Sequence, residues 1–306
     1  MKLVAKLIEW GVNAFGFLLA KIPHRAFLVC VDGLALLMAW LDKRRFLDGL
    51  ANLNFVYGES LSECEKKEII KRCYRNFAFI LLEGIRVVYI PKQTYQKKFE
   101  IVDEHYLQDS LKANGSAVLM GIHFGYWEAM ATILPDRCAG YHLASLGRLT
   151  DYEAINRLII SRREACGVKL INKKGAFKHL LKMYNKGNAL AGILVDQNIS
   201  PGEGVWVEFF GKKASHTTIA SILSRRFQID IVPVLIDFNQ DYSKFQIKLY
   251  PPIRSDFTKD SDMDIQETTQ KQADLTEAMI RENPSSWFWF HKRWKSSYPE
   301  IYQHSS

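Results

Sequence analysis

Residues 117–134 read AVLMGIHFGYWEAMATIL, and the change of texture inside this stretch decides the fold. The run 117–122 holds only apolar or small residues, with no polar side chain to interrupt it, and is short enough for a buried strand. His123 follows at once, Gly125 supplies a bend, and 125–134 has the spacing of a helix.

The same alternation recurs on both sides. Strands are expected at 141–146, 168–171 and 189–195, and helices at 152–165, 176–185 and 217–227. Two more strands, 231–238 and 245–250, are separated only by 239–244 and read as an antiparallel hairpin. A long amphipathic helix covers 263–282. Upstream, 62–89 is helical: Ser62 and Glu65 form a capping-box pair, and Ile69, Ile70, Cys73, Phe77, Ile80 and Leu81 mark one apolar face. Pro91 ends it. The expected fold is therefore α/β, a mixed central sheet flanked by helices.

Two apolar stretches, 7–20 and 26–41, flank Pro23 near the N-terminus. Each is short of the ~20 apolar residues of a bilayer span, and the second carries Asp32. Lys6 and Glu9 interrupt the first, and no small-residue cleavage site follows, which speaks against a signal peptide. Residues 1–45 are read as membrane-associating helices, with Lys43, Arg44 and Arg45 on the cytoplasmic side. Residues 46–306 are read as a single catalytic domain, because no linker rich in Pro, Gly or Ser divides them.

The 306 residues are 48% hydrophobic, enough for a large core, and 41 basic against 33 acidic residues leave a formal charge of +8. That balance suits an anionic partner. Five scattered cysteines without a CxxC pair read as reduced thiols.

The chain lacks GxSxG, GxxxxGK[ST], GxGxxG and HExxH, so the simplest hydrolase, nucleotide-binding and metalloprotease readings fall away. What remains is His123 at a strand end with Glu128 five residues on. On one helix the two would point ~140° apart, but across a strand–turn–helix junction they can meet. A carboxylate on one ring nitrogen fixes the tautomer and leaves the other as general base. His123 would then deprotonate an acceptor hydroxyl, and that oxygen would attack an acyl thioester. Backbone N–H groups near Gly125 or a nearby guanidinium would receive the oxyanion. No third metal ligand accompanies the pair, so neither a metal nor another cofactor is expected.

The segment from His123 to Glu128, HFGYWE, resembles the HxGNWE form of the HxxxxD/E motif in the lipid A lauroyl/myristoyl acyltransferase family. Further matches follow in order: Arg148 with Asn156, Asp196-Gln197, Phe209-Phe210-Gly211 with Thr217, and WFHKRWK at 289–295. Asn52-Leu53 precedes a helix bearing Asn76 and Glu83, so the likeness spans nearly the whole chain. Tyr126 stands where the family often has Asn, and Glu208 where Pro is usual. The resemblance implies a glycerolipid-acyltransferase-like fold and an enzyme at the cytoplasmic face of the inner membrane. It would move an acyl chain from acyl carrier protein to a Kdo-bearing lipid A precursor, without nucleic acid.

On that basis His123 and Glu128 are the expected catalytic pair, and Arg148 and Gly125 stabilise charge on the reacting carbonyl or a substrate phosphate. Asn156, Asp196, Gln197, Phe209 and Phe210 are expected to shape the substrate site, the two phenylalanines as core or acyl-chain wall. His291 is expected at a membrane or carrier surface. The basic pairs Arg162-Arg163, Lys173-Lys174, Lys212-Lys213 and Lys292-Arg293 are expected to form one face for an acidic carrier. His24, His105, His142, His179, His216 and His304 show no pairing pattern. A glycerophospholipid or other glycolipid acceptor, a metal-dependent hydrolase, and a non-enzymatic membrane- or nucleic-acid-binding protein are the competing readings.

Overall fold

A computed structural model describes residues 2–147, 153–172 and 175–303. Four helices lead: α1 (Lys2–Lys21), α2 (His24–Leu41), α3 (Lys43–Tyr57) and α4 (Glu63–Arg86). Next come α5 (Lys92–Gln96), β1 (Phe99–Val102), α6 (His105–Asn114), β2 (Ala117–Gly121), α7 (Met130–Ile133) and β3 (His142–Gly147). They are followed by α8 (Glu153–Ala165), β4 (Val168–Asn172), α9 (Ala176–Tyr184), β5 (Ala189–Leu194), β6 (Gly204–Phe209) and β7 (Lys212–Thr217). The chain continues through α10 (Ile219–Phe227), β8 (Asp230–Phe238), β9 (Phe245–Leu249) and α11 (Ser261–Glu282).

The central sheet has the order β1-β9-β8-β2-β5-β3-β4. β2 lies in the middle, parallel to both β5 and β8, and every one of its residues is buried. A strand covered on both faces has no reason to alternate polar with apolar, which explains its continuous apolar run. β8 and β9 pair antiparallel, so the sheet is mixed. The capping box of α4 is formed by Ser62 and Glu65.

The segment after His123 departs from one continuous helix. A 3₁₀ turn (Trp127–Ala129) leads into the four residues of α7 and a second 3₁₀ turn (Leu134–Arg137). The cause lies just upstream. Gly125 has φ +53°, a Cβ there would collide with the Ile236 carbonyl, and the Tyr126 N–H donates to that same carbonyl at 2.9 Å. The chain is thus stitched to β8 before a helix can start. Thr217 ends β7, so α10 starts two residues later than its apolar pattern implied. The β6–β7 hairpin and the four-residue edge strand β1 were not foreseen; KKASHT and FEIV are too short and too polar to stand out.

The N-terminal helices pack on α4. Phe27 and Val31 of α2 are fully buried, the Arg86 guanidinium lies 3.3 Å from the Phe27 ring centroid, and Arg75 binds Asp32 at 2.6 Å. At Gly16, α1 approaches the Ile85 carbonyl so closely that a Cβ would stand 2.6 Å from it. Their other faces expose Leu7, Trp10, Leu36, Trp40 and Leu41. Among the described residues, α2 is the one helix long and apolar enough to cross a membrane.

The C-terminal aromatic-basic segment is core, which corrects its expected place at a surface. Trp287, Trp289, Arg293 and Trp294 are all 0% exposed. Asn52 ties the segment down: its Nδ2 donates to the carbonyls of Trp289 and His291 at 2.7 Å, and Tyr302 donates to its Oδ1 at 2.6 Å. Asn76 donates to the Ser285 carbonyl at 3.1 Å. Replacing Asn52 by Ala removes three buried hydrogen bonds, so the thermal unfolding midpoint should drop by the equivalent of about 2–4 kcal/mol. An unchanged midpoint would show that this tie carries no stability.

Candidate active site

The register of β2 and β5 builds the site. Gly121 pairs with Leu194, and the Val195 N–H reaches the Gly121 carbonyl at 3.1 Å, so His123 and Asp196 emerge side by side two residues later. His123 Nδ1 lies 2.8 Å from Asp196 Oδ1, and the His123 backbone N–H donates to Oδ2 at 2.9 Å. The Trp287 indole N–H donates to Oδ2 at 2.8 Å. Burial pushes the Asp196 carboxyl up, but His123, His291 and the Trp287 indole more than offset this and hold it well below the usual carboxylate range. An ionised Asp196 accepts from Nδ1–H, which leaves the Nε2 lone pair for the cleft, where the Gln197 amide nitrogen stands 3.4 Å away.

Glu128 does not touch the imidazole, contrary to the expected pairing. Both its oxygens accept from Arg163 Nη2, at 2.8 and 3.1 Å, and Arg163 Nη1 donates to Ser145 Oγ at 2.9 Å. The 3₁₀ turn aims Glu128 sideways toward α8, while His123 continues the line of β2. His123 and Glu128 nevertheless line one cleft of about 480 Å³, together with Arg163, Gln197 and Thr217. Glu128 and Arg163 also border an apolar cavity of about 90 Å³ between α7 and the sheet, walled by Leu119, Leu134, Leu143 and Leu190.

The other expected site residues divide. Asn156 is half-buried on α8, seven residues before Arg163 and so on the same helix face. Arg148, Lys173 and Lys174 lie outside the described residues. The Gly125 N–H is committed to the Ser286 carbonyl at 2.9 Å, so it offers nothing to an oxyanion; its role is to make the bend. Phe209 and Phe210 are buried and border no cleft at the site. Phe209 packs on Trp294 and Trp287, at 5.7 and 6.0 Å between ring centroids, under the Arg293 guanidinium. They are core. Tyr126, where the family often has Asn, makes no contact with the imidazole: it is buried among Phe79, Phe238 and Phe245, its hydroxyl meets that of Tyr95 at 2.7 Å, and it borders a second apolar cavity beside α4.

His216 and His291 surround the dyad from behind. Burial, reinforced by Arg293, pushes the His216 imidazole down to about 3. His291, 4.6 Å from the His123 ring, is pushed down to about 3 by burial and by His123. Both are neutral spacers, leaving His123 as the histidine that faces the cleft. Nor do the basic pairs among the described residues make one docking face. Arg163 is in the site, Arg293 is buried, Arg162 donates to the Gly84 and Ile85 carbonyls, and Lys292 binds Asp48 at 3.2 Å. Among the described residues, no group of three or more His, Cys, Asp or Glu is arranged to hold a metal.

Sequence reasoning missed Asp196 as the partner of His123, Trp287 as its second donor, and Arg163. One signal was present: two strongly apolar strands each end in a polar residue at the same offset, which is what adjacent parallel strands need to pair their ends.

A base held by a buried carboxylate, opening on a cleft whose charged rim also borders a hydrocarbon-lined slot, suits transfer of an acyl group to a hydroxyl. The protein is an acyltransferase. Residues 2–296 match the model of the bacterial lipid A biosynthesis acyltransferase family, and the chain belongs to it. No curated protein matches the chain.

Asp196→Asn should keep the fold but lower kcat on the order of 10²–10⁴-fold, because the uncharged amide neither fixes the tautomer nor stabilises the imidazolium. Combined with His123→Ala it should be little worse than the worse single change. Near-normal kcat for Asp196→Asn, or strictly multiplicative losses, would sink the pairing.

Proposed function

We propose that the enzyme transfers a fatty acyl chain from acyl carrier protein to a hydroxyl of a Kdo-bearing lipid A precursor at the cytoplasmic face of the inner membrane. The observation that carries this reading is the convergence of the base, a cation and an apolar slot on one cleft. His123 Nε2 takes the acceptor hydroxyl proton as the oxygen attacks the thioester carbonyl. Asp196 stabilises the imidazolium through Nδ1. Arg163, aimed by Glu128 and Ser145, offers a guanidinium to the developing oxyanion, so Glu128 acts through Arg163. Arg148 keeps its expected part as a second contact for substrate charge. When the tetrahedral intermediate collapses, the C–S bond breaks and the imidazolium returns its proton to the departing thiolate.

The exposed apolar faces of α1 and α2 support membrane attachment. Lys21, Arg25, Lys43, Arg44 and Arg45 supply positive charge beside them, the pattern that draws a helix onto an anionic leaflet. The formal charge of +8 favours encounter with an acidic carrier, although Arg162-Arg163 and Lys292-Arg293 form no common basic face.

The slot beside α7 is the place we assign to the donor chain. Gly192 lines it, and a Cβ there meets nothing nearer than the Ala144 carbonyl oxygen at 3.8 Å, so a larger side chain enters the slot and not its neighbours. Purified enzyme incubated with carrier thioesters of graded length and a Kdo-bearing precursor should yield an acylated glycolipid, read by mass. Gly192→Val should move the preferred donor to a shorter chain. Product confined to glycerophospholipids, or equal use of coenzyme A thioesters, would redirect the assignment. An unchanged chain preference would place the donor chain elsewhere.

A further inference from the structure

A second hydrocarbon-lined cavity, of about 500 Å³, lies between the catalytic turn and α1 and α4, and shares Trp127, Glu128, Ala131 and Arg163 with the slot beside the sheet. Its walls are Val12 of α1, Phe77, Ile80, Leu81 and Gly84 of α4, and Ala131 of α7. Its charged lining is Arg162, which donates to the Gly84 and Ile85 carbonyls, and the same Glu128–Arg163 pair that borders the reaction cleft.

The cavity exists because of how α1 and α4 cross. The two helices touch at Gly16 and Ile85, where the backbone approach leaves no room for a Cβ. One residue earlier on α4, a Cβ at Gly84 meets nothing within 4 Å. Close contact at one point and open space beside it make a wedge. Leu81 belongs both to this wall and to the exposed apolar surface, at 40% exposure, so the wedge opens onto the molecular surface beside α1.

We propose that this wedge receives a hydrocarbon chain of the lipid acceptor and leads it from the bilayer to His123, a proposal that rests on the acyl-transfer reading above. An enzyme that acylates a lipid must bring two chains to one carbonyl, and two apolar cavities meet at Glu128–Arg163. The slot beside the sheet does not touch the N-terminal helices. The wedge has Val12 of α1 in its wall. A donor delivered by a soluble carrier suits the first; an acceptor that stays in the membrane needs the second.

Gly84→Leu tests this directly, because a Cβ there meets nothing within 4 Å, the longer side chain extends into the wedge, and leucine strengthens the helix. With a membrane-dispersed lipid A precursor, the acceptor KM should rise about tenfold or more, the loss expected when a few methylenes are displaced. The donor KM should stay within about twofold, and Gly192→Val should show the reverse pattern. An unchanged acceptor KM, or a rise in donor KM instead, would overturn the proposal. If Gly84→Leu fails to fold, Leu81→Asn, at a half-exposed position, reads the same step by the same criteria. Failure of the wild-type enzyme to acylate any glycolipid would count against the acyl-transfer reading itself, and is seen before any variant is made.

Discussion

One buried carboxylate sets the geometry of this enzyme. Asp196 is 0% exposed and accepts three hydrogen bonds, from the His123 backbone, the His123 ring and the Trp287 indole. These come from just past the end of β2 and from the C-terminal segment, while Asp196 itself lies two residues past the end of β5. A desolvated charge costs several kcal/mol unless it is fully satisfied, so the three segments are held where the carboxylate needs them. The Phe288 N–H closes the arrangement by donating to the His123 carbonyl at 2.8 Å, as does the Gly125 N–H to Ser286. Asn52 and Asn76 then secure the C-terminal segment to α3 and α4. Stability and chemistry therefore meet at the same atoms.

Much of the sheet was legible because burial on both faces writes itself as an apolar run. The strands at 117–122 and 189–195 are of this kind, and the β8–β9 hairpin was readable from its six-residue separation. Strand order was not readable, and with it went the partner of His123. The spacing from His123 to Glu128 pointed to a contact through the bend, yet backbone bonds from Gly125 and Tyr126 turn the chain so that Glu128 faces Arg163. Asp196, 73 positions away from His123, became its partner through parallel register. Residue type misled in the C-terminal segment, where tryptophans beside lysine and arginine have the composition of an interfacial belt. There the indoles are core, and Arg293 is buried beside His216 with its pKa pushed down to about 10 by that burial.

The N-terminal helices have two unlike faces. Their inner faces use Phe27, Val31 and Gly16 to pack on α4 as a soluble core would, and Asp32, awkward for a bilayer span, is satisfied by Arg75. Their outer faces leave tryptophans and leucines uncovered. The cleft at His123 and the two apolar cavities beside it all border the Glu128–Arg163 pair.

The central claim is that Asp196, and not Glu128, orients the His123 imidazole. The direct measurement is the ¹⁵N spectrum of the His123 ring in histidine-labelled enzyme at mildly alkaline pH. Wild type and Glu128→Gln should both show a protonated Nδ1 and an unprotonated Nε2, while Asp196→Asn should show that tautomer preference lost. Retention of the preference in Asp196→Asn together with its loss in Glu128→Gln would contradict the account.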